Sequence, residues 1–217
     1  MTTTDNKTRT DSRTDYGYAS DSSIHTVQYL AGPLVKSLQL VGAKRILDMG
    51  CGNGSITRIL YTKGFQIVGM DTSATGIAHC QSLMPEAMFL KASVYDDPAV
   101  IGPEPFDAVV ASEVIEHLYS PAGLLRFAAK VLSPRGRLIL TPPYHGYWKN
   151  LALSITDKWD SHWMPLREGG HIKFWSVSTM SRLLDNEGFE VTKIVGCGRL
   201  PLFWKSMLIV ARKRSDG

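Results

Sequence analysis

At 217 residues, 44% of them hydrophobic and 20% charged, the chain is long enough for one domain with a substantial core. Its net charge of +4 is scattered apart from the terminal "ARKR" at 211–214, too weak a bias to argue for a nucleic-acid surface. Three widely spaced cysteines, Cys51, Cys80 and Cys197, give neither a disulfide framework nor a thiolate metal site.

The first 23 residues are polar and rich in Thr, Ser and Asp, so they read as a flexible N-terminal segment in which Tyr16 and Tyr18 could order on a ligand. No signal-peptide pattern stands there, and no later segment approaches 18 uninterrupted apolar residues. The expectation is a soluble, cytoplasmic protein without a membrane span. From Ile24 to Leu40 the apolar spacing is helical, interrupted at Gly32-Pro33, which predicts a broken helix. Strand and helix then alternate: strand "RILDMG", helix near Ser55 to Lys63, strand "QIVGMD", helix near Thr75 to Leu83, a short strand around "AMFLKA", strand "FDAVVAS" and helix Pro121 to Leu132. A turn at "SPRG" precedes strand "RLILT". This alternation predicts an α/β fold, a doubly wound parallel sheet with helices on both faces.

Beyond "TPP" the pattern fails from Tyr144 to about Gly170. That stretch holds Tyr147, Trp148, Trp159, Trp163, His145 and His162, and reads as an aromatic insertion, either a lid over a substrate or a second small core. A helix then starts at Ser176 or Ser178 and stops at Gly188, and "EVTKIV" and "SMLIVAR" read as two adjacent strands. Between them "LPLFWKSM" is apolar enough to touch a membrane surface or a lipidic substrate, although such a segment is more often buried. Domain 24–217 is read as one unit with the 144–170 insertion.

The chemistry begins at "ILDMGCGNG". Glycines at 50, 52 and 54 let backbone approach a ligand, and the helix that follows offers free N–H groups. The spacing is GxGxG, and Asp48 before it would repel phosphate but could hold an ammonium. Asp71, at the end of the second strand, can accept hydrogen bonds from two ribose hydroxyls. A ligand with a ribose and an amino-acid group but no pyrophosphate fits both; S-adenosylmethionine is one. The stretch "SEVIEHL" is expected to open the helix after the fourth strand, with Glu113, Glu116 and His117 at i, i+3 and i+4 on one face. With His171 of "GGHIKFW" these side chains could hold a divalent cation (Mg, Mn, Fe or Zn), or form only an acidic helix start. Without a metal, His117 or His171 could serve as general base.

The motifs "ILDMGCGNGSIT", "VGMDTS", "FDAVVASEVIEHL" and "LSPRGRLILTPP" resemble those of class I S-adenosylmethionine-dependent methyltransferases, and "E-x-x-E-H" with "GGHIKFWS" resembles ubiquinone-biosynthesis-type O-methyltransferases. The resemblance implies a Rossmann-like, mostly parallel sheet of seven strands in the order 3-2-1-4-5-7-6, the last strand antiparallel. It implies that Asp48, Gly50, Gly52 and Gly54 line the methionine end of the donor and Asp71 the ribose, with Thr72 beside it. Ala92, Ser93 and Val94 would meet the adenine, Ser93 standing where the family has an Asp, and Ala111 and Ser112 would face the sulfonium. Small-RNA 2′-O-methyltransferases share the E-x-x-E-H spacing with a later histidine for a metal. The expected activity is methyl transfer to a small-molecule acceptor at a hydroxyl oxygen; the alternatives are RNA 2′-O-methylation, with nucleic acid the less favoured partner, and a non-catalytic donor-binding protein. Nothing in the sequence gives the oligomeric state.

Overall fold

The computed structural model describes residues 24–163, 165–166 and 169–214; the expectation of a flexible segment over 1–23 lies outside them. Seven short apolar runs form one sheet: β1 (Arg45–Met49), β2 (Gln66–Asp71), β3 (Met88–Lys91), β4 (Phe106–Ala111), β5 (Leu132–Leu140), β6 (Phe189–Cys197) and β7 (Ser206–Lys213), in the order β3-β2-β1-β4-β5-β7-β6. The first five lie parallel, and β7 runs antiparallel between β5 and β6. The expected topology is therefore the observed one.

Side chains alternate across a strand, so each central strand feeds two cores. Ile46, Ala108, Val110 and Ile139 face helices α1 (Ile24–Leu40) and α2 (Ser55–Thr62), against Leu30, Leu34, Leu38 and Leu60. Leu47, Val109, Leu138 and Leu140 face the other side, where α4 (Pro121–Val131) contributes Leu124, Leu125 and Ala128. Helix α3 (Ala74–Leu83), capped by Ser73 Oγ accepting from the Gly76 N–H at 3.0 Å, packs Ile77 and Cys80 against Phe89. Both faces covered is why these strands read as continuous apolar runs.

Three local expectations are corrected. Helix α1 is unbroken, with Pro33 inside it. A proline there costs about 3 kcal/mol, yet Leu30, Leu34 and Leu38 are each fully buried, at about 1.5–3 kcal/mol apiece, so the stripe outweighs the interruption. "SPRG" does not separate α4 from β5; the strand begins at Leu132, and the four residues bulge out between the Phe106↔Leu132 and Ala108↔Arg137 pairings.

The third correction concerns "SEVIEHL", which does not open an α-helix. Glu113 is left-handed, φ 55°, and Ile115–His117 makes a single 3₁₀ turn before Pro121 starts α4. A Cβ on Gly50 would lie 2.5 Å from Val114 Cγ2, so Val114 is seated directly on the glycine turn. The same turn separates Glu113 from Glu116.

The 144–170 insertion is not irregular throughout. It forms α5 (Tyr147–Ile155) and the short α6 (Trp159–Trp163). A last helix, α7 (Val177–Asn186), carries a capping box in which Ser176 and Thr179 satisfy each other's backbone N–H. The β6–β7 connection is not buried core: Leu200 is 78% exposed, and Leu202 and Phe203 are exposed beside it.

Candidate functional site

The carboxyl ends of β1, β2 and β4 meet at one edge of the sheet, where ligands bind in folds of this type. Two adjoining cavities open there, of about 220 and 150 Å³, and both are lined by Gly50 and Glu113. The larger is walled by Asp71, Thr72, Ser93 and Val94, the smaller by Asp48, Gly52 and Ser112. Of the residues expected to contact the donor, Gly54 and Ala111 stand behind the cavities instead. Gly54 is left-handed, and a Cβ on it would come 2.8 Å from Cys80 Sγ. Ala111 is fully buried in the sheet core.

The turn is held by its own polar groups. The N–H groups of Gly50 and Cys51 both donate to the Met70 carbonyl, at 2.7 and 3.0 Å. Asp71 accepts from the Gly52 N–H (2.9 Å) and the Ser73 N–H (2.8 Å), one on each oxygen. A carboxylate has about four acceptor positions, so both oxygens keep capacity toward the cavity. Asp48 is buried and accepts from Thr57 Oγ1 at 2.6 Å. Burial raises its carboxyl to about 6, against the Thr57 hydrogen bond, which pulls it down. Sequence reasoning missed Thr26 and Val27 of α1, which close the smaller cavity, and Tyr95, which lines the larger and whose hydroxyl accepts from the Ser120 N–H at 3.2 Å. Helical spacing alone gave no sign that α1 reaches the site.

Past Glu113 the walls change character. Glu113 accepts from Ser206 Oγ at 2.8 Å, and Ser206 lies 3.3 Å from the Tyr29 hydroxyl. Burial pushes Glu113 up to about 8, while Ser206 and the charge of Lys149 pull it down. Glu116 is fully buried, neither oxygen has a hydrogen-bond partner, and burial followed by the Glu113 charge holds its carboxyl well above the usual range. Its Oε1 lies 3.8 Å from His117 Nε2 and 3.9 Å from His171 Nε2, and the two rings meet edge-on at 4.9 Å. His117 Nδ1 sits against two carbonyls, Gly169 at 2.9 Å and Gly170 at 3.1 Å, so Nδ1 carries the proton in the neutral ring and Nε2 presents its lone pair toward Glu116. His171 arrives from far along the chain because the N–H groups of Ile172 and Lys173 donate to the Glu116 carbonyl, at 3.0 and 3.1 Å.

One ligating atom from each of Glu116, His117 and His171 can be chosen so that all lie within 4.8 Å of one another. A carboxylate with two imidazoles fits a divalent ion, and the unpartnered buried oxygens of Glu116 are what such an ion would satisfy. Glu113, expected as one of the four ligands, is outside this group and faces Ser206.

The sheet order and the site at the carboxyl edge of the strands define a Rossmann-like methyltransferase fold. Residues 23–194 match the family described as "Methyltransferase domain", and the chain belongs to that family. It is similar to the ubiquinone biosynthesis O-methyltransferase of Rhodopseudomonas palustris (strain BisA53), 31% identical over 169 residues, which are 77% of this chain and 66% of that protein. The counterpart in Burkholderia pseudomallei (strain 1710b) is 26% identical over 162 residues, 73% and 70% of the two chains. The chain thus spans just under two thirds of the length of the first of these. In fold it is similar to mitomycin 7-O-methyltransferase (TM-score 0.66, 17% identity, 85% of this chain and 53% of that one). It is likewise similar to the magnesium protoporphyrin IX methyltransferase of Synechocystis PCC 6803 with bound SAH (TM-score 0.65, 17% identity, 85% and 82%). No described helix is long and apolar enough to cross a membrane.

Proposed function

We propose that this chain transfers the methyl group of S-adenosylmethionine to a hydroxyl oxygen of a small-molecule acceptor, assisted by a divalent cation held by Glu116, His117 and His171. The observation that carries the reading is the buried, unpartnered Glu116 carboxylate facing two imidazoles, with His117 also lining the larger cavity. The match to O-methyltransferases at 31% identity and the SAH bound in a structural neighbour support the donor and the reaction type.

In this reading Asp71 takes the ribose hydroxyls on its cavity side and Asp48 the donor ammonium, while Gly50 and Gly52 let the backbone close on the methionine end. The sulfonium is already a reactive donor, so catalysis comes largely from holding acceptor oxygen and methyl group in line. When bound, the cation lowers the pKa of a hydroxyl beside it. Two imidazoles and one carboxylate favour a borderline transition ion such as Zn or Fe over Mg. Without a cation, His117 or His171 would instead take the hydroxyl proton as general base. Helices α5 and α6 would then act as the acceptor-side wall that excludes water.

The test is incubation with methyl-labelled donor and a panel of hydroxylated metabolites, with products identified by mass spectrometry, before and after chelation. Labelled methyl ethers that disappear on chelation and return with Mn²⁺ or Zn²⁺ are expected. Turnover unchanged after verified metal removal refutes the cation's role, and labelling of nitrogen or carbon alone refutes the acceptor class.

A further inference from the structure

The histidines of the insertion are not used by that mechanism. His145 is only 5% exposed; its Nδ1 lies 3.2 Å from Asn150 Oδ1, while Nε2 is shielded from solvent and has no hydrogen-bond partner. His162 Nε2, on α6, is shielded and unpartnered in the same way, and the two rings are 5.2 Å apart. Beside them Lys149 points inward from α5, 6% exposed, and donates to the carbonyls of Tyr144 (2.6 Å) and Lys205 (3.3 Å). Arg199, on the β6–β7 connection, is close enough for its charge to act on both Lys149 and His162.

A buried ammonium is costly unless a negative charge answers it, and each unsatisfied buried nitrogen adds to that cost. Among the described residues Lys149 forms no ion pair within 4.0 Å, and Glu113, the carboxylate that acts on it, is already bonded to Ser206. Two cations and two imidazole nitrogens without a hydrogen-bond partner therefore gather in one place, with no ion-paired anion among the described residues. The place adjoins the reaction site: His145 N–H donates to the Trp175 carbonyl at 2.8 Å, and the segment running back from Trp175 carries His171 to Glu116.

We propose that Lys149, Arg199, His145 and His162 form a subsite for an oxyanion, a phosphate or carboxylate group carried by the acceptor. The role assigned to it rests on the methylation reading above, whereas anion binding itself does not. Lys149 has a third N–H to give and Arg199 a planar fork suited to two oxygens. His145, with Nδ1 turned to Asn150, takes up one proton so that Nε2–H can donate. Burial first, then the charges of Lys149, His162 and His171, hold His145 down to about 4 against the Asn150 hydrogen bond, and an anion beside Nε2 opposes them, so binding strengthens as pH falls.

The full chain is titrated calorimetrically with inorganic phosphate, sulfate and acetate, with ionic strength held constant by chloride, and binding of S-adenosylhomocysteine is measured in parallel. Saturable binding is expected for phosphate and sulfate, or for acetate, the stronger arm telling phosphoryl from carboxylate. In either case it should weaken about tenfold or more in Arg199→Ala and His162→Gln, the loss of one charge-assisted hydrogen bond. Binding of S-adenosylhomocysteine should not change in those variants, which separates failure of the anion subsite from failure of the donor reading. Lys149→Met is the more drastic variant, and because Arg199 is exposed its replacement keeps the test valid if the lysine variant does not fold. No saturation by any of the three anions, or equal affinity in Arg199→Ala, overturns the proposal.

Discussion

Replacing Glu116 by glutamine should stabilise the metal-free protein and abolish stabilisation by metal. Glutamine keeps the shape but cannot ionise, so it escapes the cost of keeping a fully buried carboxyl protonated where the unfolded chain ionises. Relief of such a group is worth about 1–3 kcal/mol. In a chain of this size each kcal/mol moves Tm by about 2–4 °C, so the gain in chelator is about 2–12 °C. The gain has a pH signature. The folded carboxyl is held above its unfolded value, so the native state retains a proton that the unfolded chain has lost. Wild-type stability therefore falls as pH rises from about 4.3 toward the folded value, and Glu116→Gln lacks that slope. A metal at 100 times its Kd contributes about 2.7 kcal/mol, or about 5–11 °C, to the wild type and none to the variant. Thermal unfolding in chelator and in Mn²⁺ or Zn²⁺, at pH 5.5 and 8, measures all of this. A variant less stable than wild type in chelator at pH 8, or an equal metal shift in both proteins, refutes the reasoning.

Asp71→Asn should weaken S-adenosylhomocysteine binding about 10- to 100-fold in calorimetry, the loss of charge-assisted hydrogen bonds worth about 1.5–3 kcal/mol, with the circular dichroism spectrum preserved; unchanged affinity would remove Asp71 from the donor site. Donor affinity should fall as pH drops through about 6, where Asp48 gains its proton and no longer answers an ammonium, and Asp48→Asn should flatten that profile. Gly54→Ala should cost about 1–3 kcal/mol in denaturant unfolding, since its φ is +78° and the new Cβ would lie 2.8 Å from Cys80 Sγ. Leu34→Ala should cost about 2–5 kcal/mol, because it opens the α1 stripe that holds Pro33 in a continuous helix.

What could be read in the sequence was what local signals decide. The runs ending at Met49, Asp71 and Ala111 are buried on both faces and bounded by turn residues, so the strands and the donor-binding turn followed directly. What could not be read was set by contacts distant in sequence. Helix α1 runs through Gly32-Pro33 because the sheet buries three leucines along it. Helix α5 was invisible because its pattern is inverted: Tyr147, Trp148 and Ile155 face outward while Lys149 is buried, so apolar spacing pointed away from the core. The candidate site divides in the same way. Glu116 and His117 were found from spacing, but the meeting with His171 depends on two backbone N–H groups crossing 56 and 57 residues to the Glu116 carbonyl.

The departure of Glu113 from its expected place has a cause on the donor side. Val114 can sit on Gly50 only because that residue has no Cβ, and the left-handed turn at Glu113 is what delivers Val114 there. The turn carries the Glu113 carboxyl to Ser206 and lines both cavities with it, and one 3₁₀ turn later the chain presents Glu116 and His117 to His171. The contact that shapes the donor turn thus also sets the spacing of the acceptor-side groups. A substitution that moves Val114 must disturb both halves of the site, even though Val114 offers no polar atom to either ligand.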